Sequence, residues 1–368
     1  VQRNDSMGIT ERWLDRAIHA AVIGGLVLGL AAVGDGHAQT KDAKAAAPAA
    51  SQVLNLYSAR HYQTDEALYD NFTRQTGIRI NRIELGDEPL LQRLKAEGAN
   101  SPADVVLLVD AARLWRAQIE GLFQPIQSKV LTDRIPAQWR SNDNTWFGFS
   151  SRARTVVYDP TRVKPEDVDT YAKLADPKNK GKVCTRSGSH PYMLSLIGSI
   201  AEHQGEAKAE AWAKGVVDNM ARPPRGGDTD QIRAVASGEC AVALTNTYYW
   251  VRLLRSTDPK DKEVVAKVRM IWPDQAGVGA HMNVSGGAVA RYAPNRANAI
   301  RFLEYLSGPE AQGYFANGNN EWPLAVGTKL SNPELASLGS FRQDTLPVSS
   351  VGKGQIAAQR ILDRVGYR

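Results

Sequence analysis

Apolar and polar positions along this chain fall into short blocks whose period changes in a regular order. VLNLYS (53–58) is an apolar block of strand type. TDEALYDNFTRQTG (64–77) follows at helical spacing, with Thr64 as cap, acids in the first turn and Gly77 as the stop. IRINRIEL (78–85) alternates as a half-buried strand does, and EPLLQRLKAEG (88–98) returns to an amphipathic helical stripe. ADVVLLVD (103–110) is a continuous apolar run, the mark of a strand covered on both faces. This β-α-β-α-β rhythm predicts an α/β fold with a mixed, mostly parallel sheet and helices on both sides.

The blocks continue with a helix in DAARLWRAQIEG and a loop-rich stretch to Ser141. TWFGFSSRARTVVYDP (145–160) predicts a long strand broken around Ser150 and Ser151. GKVCTRS (181–187) is a strand leading into the helix HPYMLSLIGSIAEHQG, and helices follow in EAKAEAWAKGVVDNM and DTDQIRAVASG. ECAVALTN is a strand that runs straight into TYYWVRL. EVVAKVRMIWP and MNVSGGAVARYAP are expected as strands, ANAIRFLEYLSGPEAQGYFANG as one long helix, and QIAAQRILDRV as a closing helix. Two α/β units joined by chain crossings near 145–158 and 281–290 describe a two-lobed, hinged body. The expected division is 53–150 plus 282–330 for one lobe and 151–281 plus 331–368 for the other. Sheets of this kind bind ligands beyond the carboxyl ends of their strands, so functional residues are expected just after strands.

Composition changes the picture mainly at the start of the chain. AAVIGGLVLGLAAV (20–33) is apolar, Arg12 and Arg16 precede it, and Gly36 and Ala38 stand at the spacing a signal peptidase cuts. With Met7 as the expected start, residues 1–38 read as a secretory signal peptide and 39–52 as a flexible lead-in. The apolar run is shorter than the ~18–20 residues a membrane span needs. No cysteine follows it, which argues against a lipid anchor. The remainder is expected to be soluble and periplasmic.

Over all 368 residues the formal charge is +6. Removing 1–38 takes away three basic and four acidic side chains, leaving +7. These charges are interleaved, as in DPKNKGK and DPKDKE, with no basic stripe. They are read as solubility rather than as a nucleic-acid surface. Export also implies an oxidising compartment, in which Cys184 and Cys240 are expected to pair.

Enzyme signatures are missing. HExxH, CxxC, GxSxG and a Walker loop do not occur, and no two of His61, His190, His203 and His281 lie at helical ligand spacing. Tyrosines, by contrast, recur just after strands. His61 and Tyr62 follow VLNLYSAR, Tyr192 follows GKVCTRSGSHP, and Tyr248 and Tyr249 follow ECAVALTN. Pro191 suits a first helical position and Thr247 a helix cap. Each group therefore sits where a helix begins and its dipole favours negative charge. Phenols ionise near pH ~10 unless a strongly cationic partner removes the proton. Hard anionic oxygen suits a hard trivalent cation, and Fe³⁺ fits better than zinc. The surplus negative charge needs compensation, for which Arg152 or Arg154 and Arg252 are candidates. Tyr57, Tyr69, Tyr158 and Tyr305 read as core residues. Cys184 and Cys240 each precede their tyrosine, Tyr192 and Tyr248, by eight residues, so a bond between them would bring both junctions to one rim.

These same segments carry a resemblance. YSARHYQTDEALYDNFTRQTGI, ADVVLLVDAARLWRA, WFGFSSRARTVVYDP, GKVCTRSGSHPY, SGECAVALTNTYYWVRL and the NEWP segment together resemble the periplasmic ferric-iron-binding proteins of ABC importers. These are two-lobed, transferrin-like binding proteins, and the likeness runs from about Val53 to the end of the chain. It implies an Fe³⁺ site between the lobes with Tyr62, Tyr192, Tyr248 and Tyr249 as ligands. His61 matches a histidine that binds iron in some members and stands aside in others. Arg152 and Arg252 match arginines that lie just behind the ligands in the tyrosine-rich branch. Another branch uses a glutamate after the ADV strand together with phosphate. Here Asp110 follows that strand and reads as a helix cap, so an added anion is not expected.

The resemblance implies a monomeric subunit that binds Fe³⁺ and delivers it to an inner-membrane ABC permease. The alternative keeps the fold and binds a polyamine, thiamine or an oxyanion; a polyamine would call for several cleft carboxylates and stacking aromatics, whereas the junctions here carry phenols. A secreted metalloenzyme would need an open coordination position and a placed base, and no residue offers one.

Overall fold

The computed structural model describes residues 52–60 and 65–368. The expected signal peptide, His61, Tyr62 and the cap Thr64 lie outside the described residues. Strand β1 (Val53–Ser58), helix α1 (Asp65–Thr76), strand β2 (Arg79–Glu84), helix α2 (Asp87–Glu97), strand β3 (Val105–Leu108) and helix α3 (Ala111–Ile119) follow the predicted rhythm. β1 lies between β2 and β3 and runs parallel to both. Gly77 ends α1 with φ +71°, a conformation open to glycine at little cost. Asp110 caps α3 by accepting from the Ala112 N–H at 2.8 Å, as its place after the apolar run predicts.

A short strand β4 (Phe123–Gln124) and helix α4 (Lys129–Arg134) lead to β5 (Trp146–Tyr158), thirteen residues all of which are buried. β5 is one strand, not two. The feature read as a break is a register shift against its neighbour between Gly148 and Ser150, which bends the strand without ending it. Next come β6 (Val183–Cys184), α5 (Pro191–Gln204), α6 (Glu206–Asp218), α7 (Asp228–Ala236), β7 (Val242–Asn246) and α8 (Thr247–Arg255).

The segment expected as one strand through EVVAKVRMIWP is helix α9 (Pro259–Lys267) followed by a three-residue strand β8 (Arg269–Ile271). Asp258 caps that helix and Pro259 opens it, and these start signals outweigh the local valines. β9 (Met282–Ala290) crosses back. The expected long helix after it is two, α10 (Arg296–Leu306) and α11 (Pro309–Gly318), because Pro309 cannot continue a helix from Gly308. A short β10 (Trp322–Pro323), α12 (Pro333–Ala336) and α13 (Val348–Val365) complete the chain.

The strands form a mixed sheet in the order β2-β1-β3-β9-β5-β7-β6. Its parallel pairings are β1–β2, β1–β3 and β6–β7. The antiparallel share is larger than expected, since β5 and β9 run against each other and against their outer neighbours. β5 is the seam. Trp146–Ala153 pairs with β9, and Arg154–Tyr158 pairs with β7 and β8. The buried apolar side chains divide along it. One core gathers Leu56, Phe72, Leu107, Phe147 and Phe302, and a second gathers Val156, Met193, Trp212, Leu244 and Leu362. A third, smaller cluster packs Ile232, Val235 and Trp250 around Cys184 and Cys240. Two cores separated at crossing strands make a two-lobed body. Tyr57, Tyr69 and Tyr158 are buried in these cores and Tyr305 packs against the first, as expected.

Candidate metal centre

Cys184 and Cys240 are bonded, with Cα atoms 5.8 Å apart. The bridge joins the end of β6 to the residue two before β7, and these strands pair in parallel, with Cys184 opposite Ala243. Each chain then runs past its sheet and starts a helix. Pro191 takes the first position of α5, and His190 caps it, its Nδ1 accepting from the Tyr192 N–H at 3.2 Å. Burial, then the charges of Arg186 and Arg154, push the His190 imidazole down to about 2, so the ring stays neutral and able to accept. Thr247 is the first residue of α8 rather than its cap. Its hydroxyl accepts instead from the Ala153 N–H of β5 at 3.3 Å, pinning the helix start to the seam.

The equal eight-residue spacing has its consequence here. The hydroxyls of Tyr192 and Tyr248 meet in a hydrogen bond of 2.9 Å. Tyr249 folds over the same helix end, its ring 4.2 Å from that of Tyr248 and tilted by 32°. The first turn of a helix thus brings two adjacent phenols to one place, which a strand would send to opposite faces. Tyr192 and Tyr248 are buried, and Tyr249 is half-buried.

Guanidinium groups surround these rings. Arg186, Arg152 and Arg154 stand 4.9, 5.6 and 6.0 Å from the centre of the Tyr192 ring. Arg252, one turn along α8, stands 5.3 Å from Tyr249 and 6.0 Å from Tyr248. Burial works against the charge of Arg152, but Glu321, Tyr192 and Tyr248 together hold its guanidinium above the usual range. Arg186 is likewise raised: burial opposes it, and Asp228, Tyr249 and Tyr192 outweigh the burial. Asp228, fully buried at the start of α7, binds both Arg154 and Arg186 and accepts the Asn246 N–H at 2.7 Å. Glu321 accepts from Ser150 Oγ at 2.5 Å and lies 3.6 Å from Arg152 and 4.0 Å from Arg60.

Several guanidinium N–H groups, among them Arg152 Nε and Nη2, Arg154 Nε and Arg186 Nε, are buried without a hydrogen-bond partner among the described residues. Such groups create a strong local demand for negative charge. Among the described residues no three His, Cys, Asp or Glu side chains gather so as to hold a metal ion.

Arg186, Asp228 and Glu321 were not singled out in the sequence. Arg186 had a usable signal, two residues past Cys184 at a strand end. Asp228 and Glu321 reach the site over long sequence distances. Tyr171 was also passed over. Its hydroxyl donates to the Arg154 carbonyl at 2.6 Å and accepts from the His281 N–H at 3.0 Å, tying the two crossings together.

A two-lobed α/β body, with phenols gathered at helix starts beside the crossing strands, is the architecture of a periplasmic binding protein. The chain matches the family of bacterial extracellular solute-binding proteins over residues 67–336 and belongs to it. Its fold and family are those of a carrier of solutes, not an enzyme. Iron uptake protein A1 of Synechocystis sp. is 48% identical over 90% of this chain and 92% of its own length. The major ferric iron-binding protein of Neisseria meningitidis is 26% identical over 87% of this chain and 92% of its own. Among solved structures, Trichodesmium IdiA (FutA) in complex with iron and citrate is 51% identical, with a TM-score of 0.81, covering 86% of this chain and all of that one. The ferric binding protein of Campylobacter jejuni is 38% identical at a TM-score of 0.82, with the same coverage.

Proposed function

We propose that this protein carries a single ferric ion in the periplasm, binding it between its lobes and handing it to an ABC permease in the inner membrane. Tyr192, Tyr248 and Tyr249 supply phenolate oxygens from the second lobe. Tyr62, with His61 beside it, closes the site from the first. The lobes divide as 53–150 plus 282–330 and 151–281 plus 331–368, and the protein acts as a monomer. One observation carries this reading: two phenol oxygens from different helix starts lie 2.9 Å apart inside a ring of arginines. Hydroxyls held that close are poised to bind one ion, and a trivalent cation displaces the proton of each phenol to take both oxygens as ligands. Arg152 and Arg252 then balance the phenolates left around the ion, as do Arg154 and Arg186. That relatives are an iron uptake protein, a ferric iron-binding protein and a structure holding iron and citrate supports the same choice of cargo.

The experiment is a titration of purified protein with ferric citrate, followed in the visible range. A tyrosinate-to-iron charge-transfer band should grow to saturation at one ion per chain. Tyr248→Phe with Tyr249→Phe should abolish it, and a colourless wild-type protein would refute the proposal. The guanidinium N–H groups without an acceptor favour a second reading in which a carboxylate anion accompanies the ion. Repeating the titration with ferric nitrate, then adding citrate, separates the two: a shift of the band on adding citrate means that the anion enters the site.

A further inference from the structure

The segment NGNNE (317–321) runs from the end of helix α11 into strand β10. Its backbone turns sharply at Asn320, which holds φ +59°, a left-handed conformation that asparagine tolerates better than most residues. Asn319, Asn320 and Glu321 are all buried, and each has a different set of partners. Asn319 and Glu321 reach the first group of proposed ligands. Asn319 Nδ2 donates to Asp65 Oδ1 at 3.3 Å, and Glu321 lies 4.0 Å from Arg60. Arg60 and Asp65 pair with each other at 2.9 Å and stand at the two ends of residues 61–64, the stretch that holds His61 and Tyr62. Glu321 also faces Arg152, the guanidinium beside Tyr192.

Asn320 reaches the other way. Its Oδ1 accepts from Arg255 Nη1 at 2.6 Å and from Asn332 Nδ2 at 2.9 Å, and Arg255 donates to the Asn317 carbonyl as well. Arg255 is the last residue of α8, the helix whose first turn carries Tyr248 and Tyr249. Some ~10 Å of helix rise separates it from them. Helix α11 is anchored in the first core through Phe315, and α8 in the third cluster through Trp250 and Leu253. An ordinary helix exit needs only one left-handed residue. Here three consecutive buried polar side chains serve partners that stand next to both ligand groups.

Resting on the ferric reading above, we propose that this segment fixes the spacing between the two ligand groups, with Asn320 and Arg255 as positioning residues for Tyr248 and Tyr249. Ligands hold a metal tightly only when the contacts behind them keep them near the coordinating geometry. Loss of one such contact typically costs about 10–100-fold in metal affinity.

Two variants of the full chain test this, each titrated with ferric citrate against rising free citrate while the visible band is recorded. Asn320→Gly keeps the left-handed turn and every charge but removes the oxygen that Arg255 binds, and Asn332 retains its bond to the Ala316 carbonyl. Arg255→Ala removes the link from its half-exposed end. Both should weaken ferric binding by about tenfold or more and shift the maximum of the charge-transfer band. Asn320→Asp, which keeps the accepting oxygen, should bind more tightly than Asn320→Gly and retain the wild-type band. A wild-type chain that colours normally while both variants match its affinity and its band would overturn this proposal alone, whatever their melting temperatures. A wild-type chain that takes up no iron would overturn the ferric reading, and this proposal with it.

Discussion

Arg152 shows how single residues sustain the site. It is 1% exposed, donates through Nη1 to Ser285 Oγ at 2.9 Å, and faces Glu321 on one side and Tyr192 on the other. Removing one partner of a buried charge pair leaves the other uncompensated. Arg152→Gln should therefore cost about 3 kcal/mol in urea unfolding, and weaken ferric binding as the phenolates lose a counter-charge. His281 offers a pH test. Burial is the main cause that pushes its imidazole down to about 4, with the charges of Arg154 and Arg152 adding to it and Asp344 opposing. Above the ordinary value of ~6.5 both folded and unfolded chains hold it neutral. Below that the unfolded chain takes the proton first, so stability falls between pH 6.5 and 4, by up to ~1.4 kcal/mol per pH unit. His281→Gln should flatten that part of the wild-type pH–stability curve.

At this scale Tyr248 and Tyr249 were legible because they follow the apolar strand β7 almost directly, and Tyr192 because it opens α5 beside Pro191. Asp228 and Glu321 were not, because nothing local tells which distant carboxylates a fold will bring to the arginines around a phenol.

Between elements, α5 and α13 approach each other closely. A Cβ on Gly198 would stand 2.9 Å from the carbonyl carbon of Gly354, and one on Gly354 would stand 2.7 Å from the Cα of Gly198. The two helices touch backbone to backbone, and α5 carries Tyr192 at its start. Gly198→Ala should cost ~1–3 kcal/mol, measured by urea unfolding, by forcing the pair apart. A stability equal to wild type would mean that the crossing is looser than the geometry says. Elements that carry their own start and stop signals were readable, as Gly77 after α1 and Pro191 in α5 illustrate. Two misreadings share one cause. Val264 and Val265 suggested a strand and the apolar spacing across Ser307 a continuous helix, yet the cap at Asp258 and the break at Gly308–Pro309 decided both. The register shift in β5 could be read only as a break near Ser150, since its form depends on the partner strand.

For the whole molecule, two cores meeting at β5 and β9 leave the lobes joined by crossing strands, with ligands proposed on both sides. Binding that engages both lobes stabilises the closed form by its differential affinity. It also stabilises the folded state, by about 4 kcal/mol when free ligand is a thousand times Kd. Melting should accordingly shift upward on loading with ferric citrate, and the Tyr248→Phe, Tyr249→Phe double variant should show no such shift.

The most direct test is a crystal structure of the iron-loaded protein. A single ion bonded to the phenolate oxygens of Tyr62, Tyr192, Tyr248 and Tyr249, with Arg152, Arg186 and Arg252 just behind them, is the predicted result. An ion bound elsewhere, with Tyr192 and Tyr248 still hydrogen-bonded to each other, would contradict it.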